Sequence, residues 1–596
     1  MANTLFDDTN KKMKQHIEQL IQAALEQLRS DGKLAAATPV IQIDATKDKQ
    51  HGDFASNIAL LLAKPMQSKP RDVAAMIMAA LPASANVSKV EIAGPGFINF
   101  FLTESAFHTI VPDILAAGEK FGLVNIGKGK KVLVEFVSSN PTGPLHVGHG
   151  RHAAYGSIVA DLLSAVGYDV YREYYVNDAG RQMDILATSV WLRYLDALGE
   201  TIPFPTNGYK GSYVNDIAAE IKAQHGKDFA APAAKVLAEL PLDAPAGDKE
   251  LYIDAVIARA HEILGEKNYE IIFNAALNGI LADIRNDLEE FGVHYENWFS
   301  ERELVKSDVV DRMFERLKSQ DLAYVREGAL WFRSTNFNDE KDRVLERANG
   351  QRTYFANDLA YHINKFERGF DTAIDIFGSD HHGYIPRMKA GLTGFGIAED
   401  KLTYLLVQFV TLYRGGEQAQ MSTRSGSFVT LRELRDEVGN DAARFFYVMR
   451  RSEQHVDFDL DLAKSASNEN PVYYIQYAHA RICSVHRQLA DKNMMFDQAE
   501  GLANLSLLTA PQELQLLATL ARYPAIVTSA ATQHEPHLLT NYLRDLATGF
   551  HTYYNSHQFL VDDAQCRNAR LTLIGAVRQI LANGLGLLKV STPEAM

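Results

Sequence analysis

Apolar residues recur every three or four positions in MKQHIEQLIQAALEQL and DVAAMIMAALP, a spacing that predicts amphipathic helices. The β-rich segment VEIAGPGFINFFL follows, with glycines that predict a turn. Residues 1–115 therefore read as a small α+β domain. After a lysine-rich linker, GKGKK, comes the strand-like run VLVEFV over 132–137, then SSNPTGPLHVGHGR, then a helical pattern to about residue 166 and a second strand, YDVYREYYV. Strand, Gly/Pro-rich loop, helix and strand in this order is the pattern of a nucleotide-binding βαβ unit.

Residues 178–301 are mainly helical in pattern, broken by a loop at APAAKVLAELPLDAPAG, and read as an insertion between two halves of one sheet. Strand signals return at GALWFRS, TAIDIFG and LTYLLVQFVTLYRGG. Residues 426–462 read as a connecting helical segment and 463–596 as a helical bundle. The expected fold is α/β: a Rossmann-type core over 116–425 with a helical insertion, flanked by an N-terminal α+β domain and a C-terminal all-α domain.

With 596 residues the chain exceeds one compact core, and about three to five units are expected. It is 46% apolar and 22% charged, and its two cysteines, Cys483 and Cys566, lie far apart. Neither a disulfide framework nor a structural zinc is expected, and a cytoplasmic location fits. MANTLFDDTNKKMKQHIEQL mixes both charges without an apolar core, and no apolar run is long enough to span a bilayer, so neither secretion nor a membrane is expected. A net charge of −14 argues against a protein that coats nucleic acid non-specifically. It leaves room for a specific RNA met by local basic surface.

The main chemical signal is His146-Val147-Gly148-His149, placed after a strand and a Pro/Gly loop at the start of a helix. Backbone N–H groups there favour anions, Gly148 permits close approach of a ligand, and histidines three apart share a face from which they can donate to phosphate oxygens. Alternatively they cap the helix or form half a metal site, although the spacing is not HExxH and no cysteine or glutamate completes a cage nearby. The second signal is Gln420-Met421-Ser422-Thr423-Arg424-Ser425-Gly426, a polar loop about 275 residues later.

Together the two resemble the HIGH and KMSKS elements of class I aminoacyl-tRNA synthetases, in the right order and at a fitting separation. The extended string EFVSSNPTGPLHVGHGRHAAYGSIVADLL narrows the resemblance to arginyl-tRNA synthetases, as do GDFASNIALLLAK, GPGFINFFL, YVNDAGRQ, TYFANDLAYH, GSDHHGY and VYYIQYAHARI, which together reach across nearly the whole chain. The C-terminal bundle is then expected to bind the anticodon and the N-terminal domain the tRNA elbow.

The resemblance implies that Glu135, Asn140, Tyr354 and Asp358 recognise arginine. A planar, permanently charged guanidinium calls for carboxylates and neutral acceptors, and Glu135 inside an apolar strand is a costly charge to bury without a purpose. It places ATP against His146, Gly148 and His149, against Gly378, Asp380 and His381 after TAIDIFG, and against Met421 and Ser422; Asp380-His381-His382 could instead ligate a metal. For tRNA it implies Phe97 and Asn99 at the D-loop, with Tyr474, Tyr477 and Met596 near the anticodon, where the tyrosines could stack on bases or simply pack the bundle. The implied substrates are ATP with magnesium, L-arginine and tRNA(Arg), and a monomer is expected. A synthetase for another amino acid such as lysine, or a catalytically silent tRNA-binding protein, are the rival readings.

One departure stands out. KMSKS lysines are replaced by Gln420 and Thr423, and Gly143 stands where many family members lacking the second lysine carry a lysine before the first histidine. Arg424 is the nearest replacement cation in the loop and is expected to be catalytic.

Overall fold

The computed structural model describes residues 8–34, 39–46, 51–419 and 429–596. They form two compact units: one combines residues 1–126, 165–167 and 466–596, the other 127–164 and 168–465.

In the first unit, helix α1 (Asp8–Ser30) buries Ile17, Ile21 and Leu25 on one face. Strands β1 (Ile43–Ala45), β2 (Phe54–Ser56), β3 (Val87–Ala93) and β4 (Phe97–Leu102) make an antiparallel sheet in the order β1-β2-β4-β3. The glycines of AGPGF do make the turn between β3 and β4. At Gly96 (φ +145°) a Cβ would also lie 2.9 Å from Pro70, so both backbone and space exclude a side chain.

The second unit is built on five parallel strands. In chain order these are β5 (Lys131–Phe136), β6 (Asp169–Val176), β7 (Asn297–Ser300), β11 (Thr372–Gly378) and β12 (Leu402–Val407), and their spatial order is β12-β11-β5-β6-β7. That is a doubly wound sheet whose order reverses between β5 and β11, where open α/β sheets leave a crevice at the strand C-termini. Helix α2 (Val147–Ala165) crosses from β5 to β6, and α3 (Tyr354–Glu367) leads into β11.

Several sequence expectations change. Residues 297–300 form the edge strand β7, inside the segment read as a helical insertion, because a four-residue strand pairing with Glu173–Val176 has too short a period to read. GALWFRS does not join the central sheet: its strand β9 (Ala329–Phe332) lies between β8 (Ala323–Arg326) and β10 (Arg343–Glu346) in a separate antiparallel sheet. LTYLLVQFVTLYRGG splits, its second half, β13 (Val410–Arg414), pairing with β14 (Glu417–Gln418) and in parallel with β15 (Val456–Asp459). Residues 426–462 therefore carry a strand as well as the helix Leu431–Val448.

The C-terminal part of the first unit is helical, led by α4 (Pro471–Asp491), α5 (His537–Ser556) and α6 (Ala564–Leu587). Its last residues run along α4. Gln476 donates to Ser591 O (3.0 Å) and Arg487 to Glu594 O (2.9 Å), while His479 Nδ1 lies 3.0 Å from Pro593 O.

Candidate active site

A cleft of about 590 Å³ opens at the C-terminal ends of β5 and β11 and is lined by Glu135, Asn140, His146, Gly148, His149, Asp358, Gly378, Asp380 and His381 among others. The chain enters it through a strained turn: Val137 (φ +66°) and Ser138 (φ +40°) adopt left-handed backbone that side-chain-bearing residues avoid. Tyr175 N–H, on the next strand, donates to Ser138 Oγ (3.0 Å) and holds this turn.

The two motif histidines stack with ring centroids 3.6 Å apart. His146 Nδ1 accepts from the N–H of Gly148 (3.1 Å) and of His149 (3.4 Å), and His149 Nδ1 accepts from the N–H of His146 (3.3 Å). Backbone donors at both Nδ1 atoms assign the proton of each neutral ring to Nε2. Burial lowers both pKa values, His149 well below the ordinary histidine range, so the rings are neutral N–H donors. Gly148 has a second reason to lack a side chain: its Cβ would lie 2.9 Å from His146 Cε1. His152, one turn further on, also lines the cleft, and burial, then the Arg151 charge, draw it down to about 4. Among the described residues no group of three His, Cys, Asp or Glu is arranged to hold a metal ion.

Under the cleft floor lies a row of carboxylates. Asp375 pairs in register with Glu135, and Glu135 with Glu173, on β11, β5 and β6. Helix α3 and its C-cap cover the row. Lys365 Nζ lies 2.6 Å from Glu135 Oε2 and 2.7 Å from Asp375 Oδ1, and Arg368 makes a two-pronged pair with Glu173. Tyr361 Oη sits 3.0 Å from Glu135 Oε2 and 2.8 Å from Glu173 Oε1. Burial opposes charge throughout, yet Lys365 and His362 outweigh it at Asp375 and hold that carboxyl at about 2; at Glu135 burial prevails and raises it.

Asp358, one turn along α3, accepts from Tyr384 Oη. Tyr175, in the same wall, is pushed up by burial and then by four carboxylates, Glu301, Asp358, Glu135 and Asp178. Glu301, the first residue of the helix Glu301–Lys306, is raised to about 7 by burial and then by the charge of Asp358. Such a gathering of acids suits a cationic guest.

Three family profiles match the chain: "Arginyl tRNA synthetase N terminal domain" over residues 15–102, "tRNA synthetases class I (R), catalytic domain" over 110–206 and 257–480, and "DALR anticodon binding domain" over 475–596. The arginine–tRNA ligase of Thioalkalivibrio sulfidiphilus is 62% identical over 586 residues, 98% of this chain and 100% of its own; that of Hydrogenovibrio crunogenus is 56% identical over 592 residues, with 98% and 100% covered. The chain belongs to the arginyl-tRNA synthetase family. The arginyl-tRNA synthetases of Thermus thermophilus (TM-score 0.69, 22% identity, 97% of this chain and 100% of that one) and Plasmodium falciparum (0.70, 16%, 98% and 99%) share its fold.

Within this synthetase most of the expected pocket residues meet in one cleft, but not all are free for a substrate. Glu135 Oε2 is already held by Lys365 and Tyr361. Asn140 faces Gln182 and Asn177 (2.8 and 3.1 Å). Tyr354 shares a helix face with Asp358 as its spacing predicts, yet it is 71% exposed and does not line the cleft. Met421, Ser422, Thr423, Gln420 and Arg424 lie outside the described residues. The backbone on either side is held: Ala419 N–H donates to Leu412 O (2.8 Å), and beyond residue 428 Thr430 bridges to His146.

Of the expected tRNA-binding residues, Phe97 is 40% exposed and Asn99 4%; Asn99 shares the face of β4 turned away from the core residues Ile98 and Phe100, between Ala55 and Glu91 of the flanking strands. Tyr474 and Tyr477 are half-buried on α4, each against His551, and Arg481 lies 4.4 Å over the Tyr477 ring. Met596 is 50% exposed. Sequence reading missed Glu301, Tyr175, Lys365 and His152; only His152, three residues after His149, carried a visible signal.

Proposed function

We propose that the protein joins L-arginine to tRNA(Arg) at the expense of ATP. The arginine carboxylate attacks the α-phosphorus, its new P–O bond forming as the bond to pyrophosphate breaks. A terminal ribose hydroxyl of the tRNA then attacks the arginyl carbonyl, AMP leaves with the electron pair, and the hydroxyl proton passes to solvent. No protein nucleophile takes part; alignment and charge stabilisation do the work.

The observation that carries this reading is one cleft that combines the carboxylates acting on Tyr175 with two neutral N–H donors, His146 and His149. Asp358 and Glu301 would take the guanidinium, with Tyr354 closing over it from one turn along α3, and Asn140 would take the amino-acid head group. His146 and His149 would donate Nε2–H to phosphate oxygens. Gly378, Asp380 and His381 would meet the nucleoside; at Gly378 a Cβ would fall 2.5 Å from Asp380 Oδ1, so a side chain there would displace the Asp380 carboxylate. Magnesium would enter with ATP as part of the substrate, ligated by phosphate and water. Phe97, Tyr474, Tyr477 and Met596 would contact tRNA, Arg424 would serve from its loop, and the protein would act as a cytoplasmic monomer. No helix among the described residues is long and apolar enough to cross a membrane.

Pyrophosphate exchange with tRNA present tests the reading. Exchange dependent on arginine and not on lysine is expected; exchange with lysine alone, or none with either, overturns it.

A further inference from the structure

The described lining of the cleft includes no lysine or arginine. Burial keeps three of its histidines, His146, His149 and His152, neutral. A triphosphate is a polyanion, and its transfer chemistry needs positive charge nearby. Lys365, behind the cleft, is committed to Glu135 and Asp375; a second permanent cation set behind this wall is Arg151, one residue before His152 on α2. Its side chain is 0% exposed. Nη1 donates to Gln408 O (2.7 Å) and Gln454 O (2.8 Å), and Nη2 to Arg451 O (2.8 Å). Among the described residues no carboxylate lies within ion-pair distance of it; the acidic groups that act on it are the phenols of Tyr155 and Tyr447 and then, as the one carboxylate, exposed Glu453. Burial draws Arg151 down to about 10, so it stays charged at neutral pH.

Carbonyl dipoles solvate a guanidinium without cancelling its charge, and a buried charge without a counter-ion is expensive. An anion in the cleft would offset that cost. Two parts of the wall meet at this group: Gln408, whose carbonyl it binds, and His152, its neighbour in sequence, both lining the cleft. Its charge acts on the wall: after burial, Arg151 is the second cause of the lowered pKa of His152.

We propose that Arg151 is the positioning cation for the nucleotide's phosphates, acting through its field and by fixing the backbone at Gln408, without touching the ligand. The proposal rests on ATP being the substrate. It gives this chain a source of positive charge that does not depend on Arg424.

The test is equilibrium binding of ATP, AMP and adenosine to the full-length protein and to Arg151→Met and Arg151→Lys. In Arg151→Met the loss should grow with ligand charge, about tenfold or more for ATP and less than about twofold for adenosine, while Arg151→Lys keeps most of the ATP affinity. Equal losses for all three ligands would mark a purely structural tie and overturn the proposal, as would no loss at all. Where the methionine variant does not fold, Glu453→Gln decides: ATP should tighten relative to adenosine, and an unchanged ratio counts against Arg151. A wild-type protein that binds no ATP overturns the substrate reading itself, and this inference with it.

Discussion

Glu135 and Asp375 occupy paired positions on adjacent parallel strands, and a single fully buried ammonium, Lys365, lies within 2.7 Å of both. Two like charges side by side in a sheet interior are tolerable only with that cation between them. Lys365→Met should therefore lower the stability of the catalytic unit by about 3 to 5 kcal/mol, the cost of leaving buried charge unpaired. All three tryptophans, Trp191, Trp298 and Trp331, belong to this unit, so their fluorescence during urea unfolding reports it selectively. Adding Asp375→Asn should recover part of the loss. If the single variant unfolds at the wild-type urea concentration, the pairing is of no consequence.

Arginine binding should be coupled to a proton. Glu301 is raised from 4.5 to about 7, so below neutrality the empty site holds a proton that a guanidinium must displace. The arginine KM should be flat above about pH 8 and rise by up to about tenfold per unit below pH 7, while the ATP KM does not follow. Glu301→Gln should flatten the profile at a uniformly weaker affinity. A wild-type profile without this limb would remove Glu301 from the guanidinium site.

The contrast between Glu135 and Glu301 shows what a sequence can disclose. An acid inside VLVEFV announces itself, because its five neighbours are apolar and local. Glu301 opens a six-residue helix and reads as solvated surface; only the return of the chain near Asp358 buries it. Lys365 similarly falls among the polar positions of an amphipathic helix, while its partner Glu135 lies 230 residues away. The loop, helix and strand around the histidine motif were legible because their signals are contiguous. The separate sheets of β8–β10 and β13–β15 were not, since strand-like runs do not say which neighbour they pair with.

Among the described residues Asp358 makes no ion pair, and Tyr384 donates its side-chain hydrogen bond, so its charge remains to be met by the substrate. Asp358→Asn should weaken arginine by roughly 1.5 to 3 kcal/mol, the range of a charge-assisted hydrogen bond, and leave ATP nearly unaffected. Arginine and ATP constants that rise together would instead indicate a distorted α3.

Gly148→Ala tests the tautomer argument. The new methyl would press on the His146 ring at 2.9 Å, and a side chain can swing away where backbone cannot. The fold should survive with its melting temperature little changed, but His146 would lose its backbone donors and with them the fixed direction of Nε2–H. Pyrophosphate exchange should fall by at least about tenfold, or about 1.4 kcal/mol of barrier. Normal exchange would mean that the ring's orientation is set by something other than the helix amides.

Tyr477 decides between stacking on RNA and packing the bundle. Its ring stacks on Tyr473 at 5.8 Å, carries Arg481 on one face at 4.4 Å and is only half-buried, which leaves part of an aromatic, cation-backed surface open to solvent. A ring needed only for the core would be enclosed, like Tyr542 and Tyr553 in the same unit. Tyr477→Ala should weaken tRNA binding by about 1 to 3 kcal/mol, the usual cost of one lost base stack, and Tyr477→Phe, which keeps the π face, should bind almost normally. Arginine and ATP constants should stay at their wild-type values in both. Unfolding at lower temperature with unchanged tRNA affinity in the alanine variant would assign the ring to the core instead.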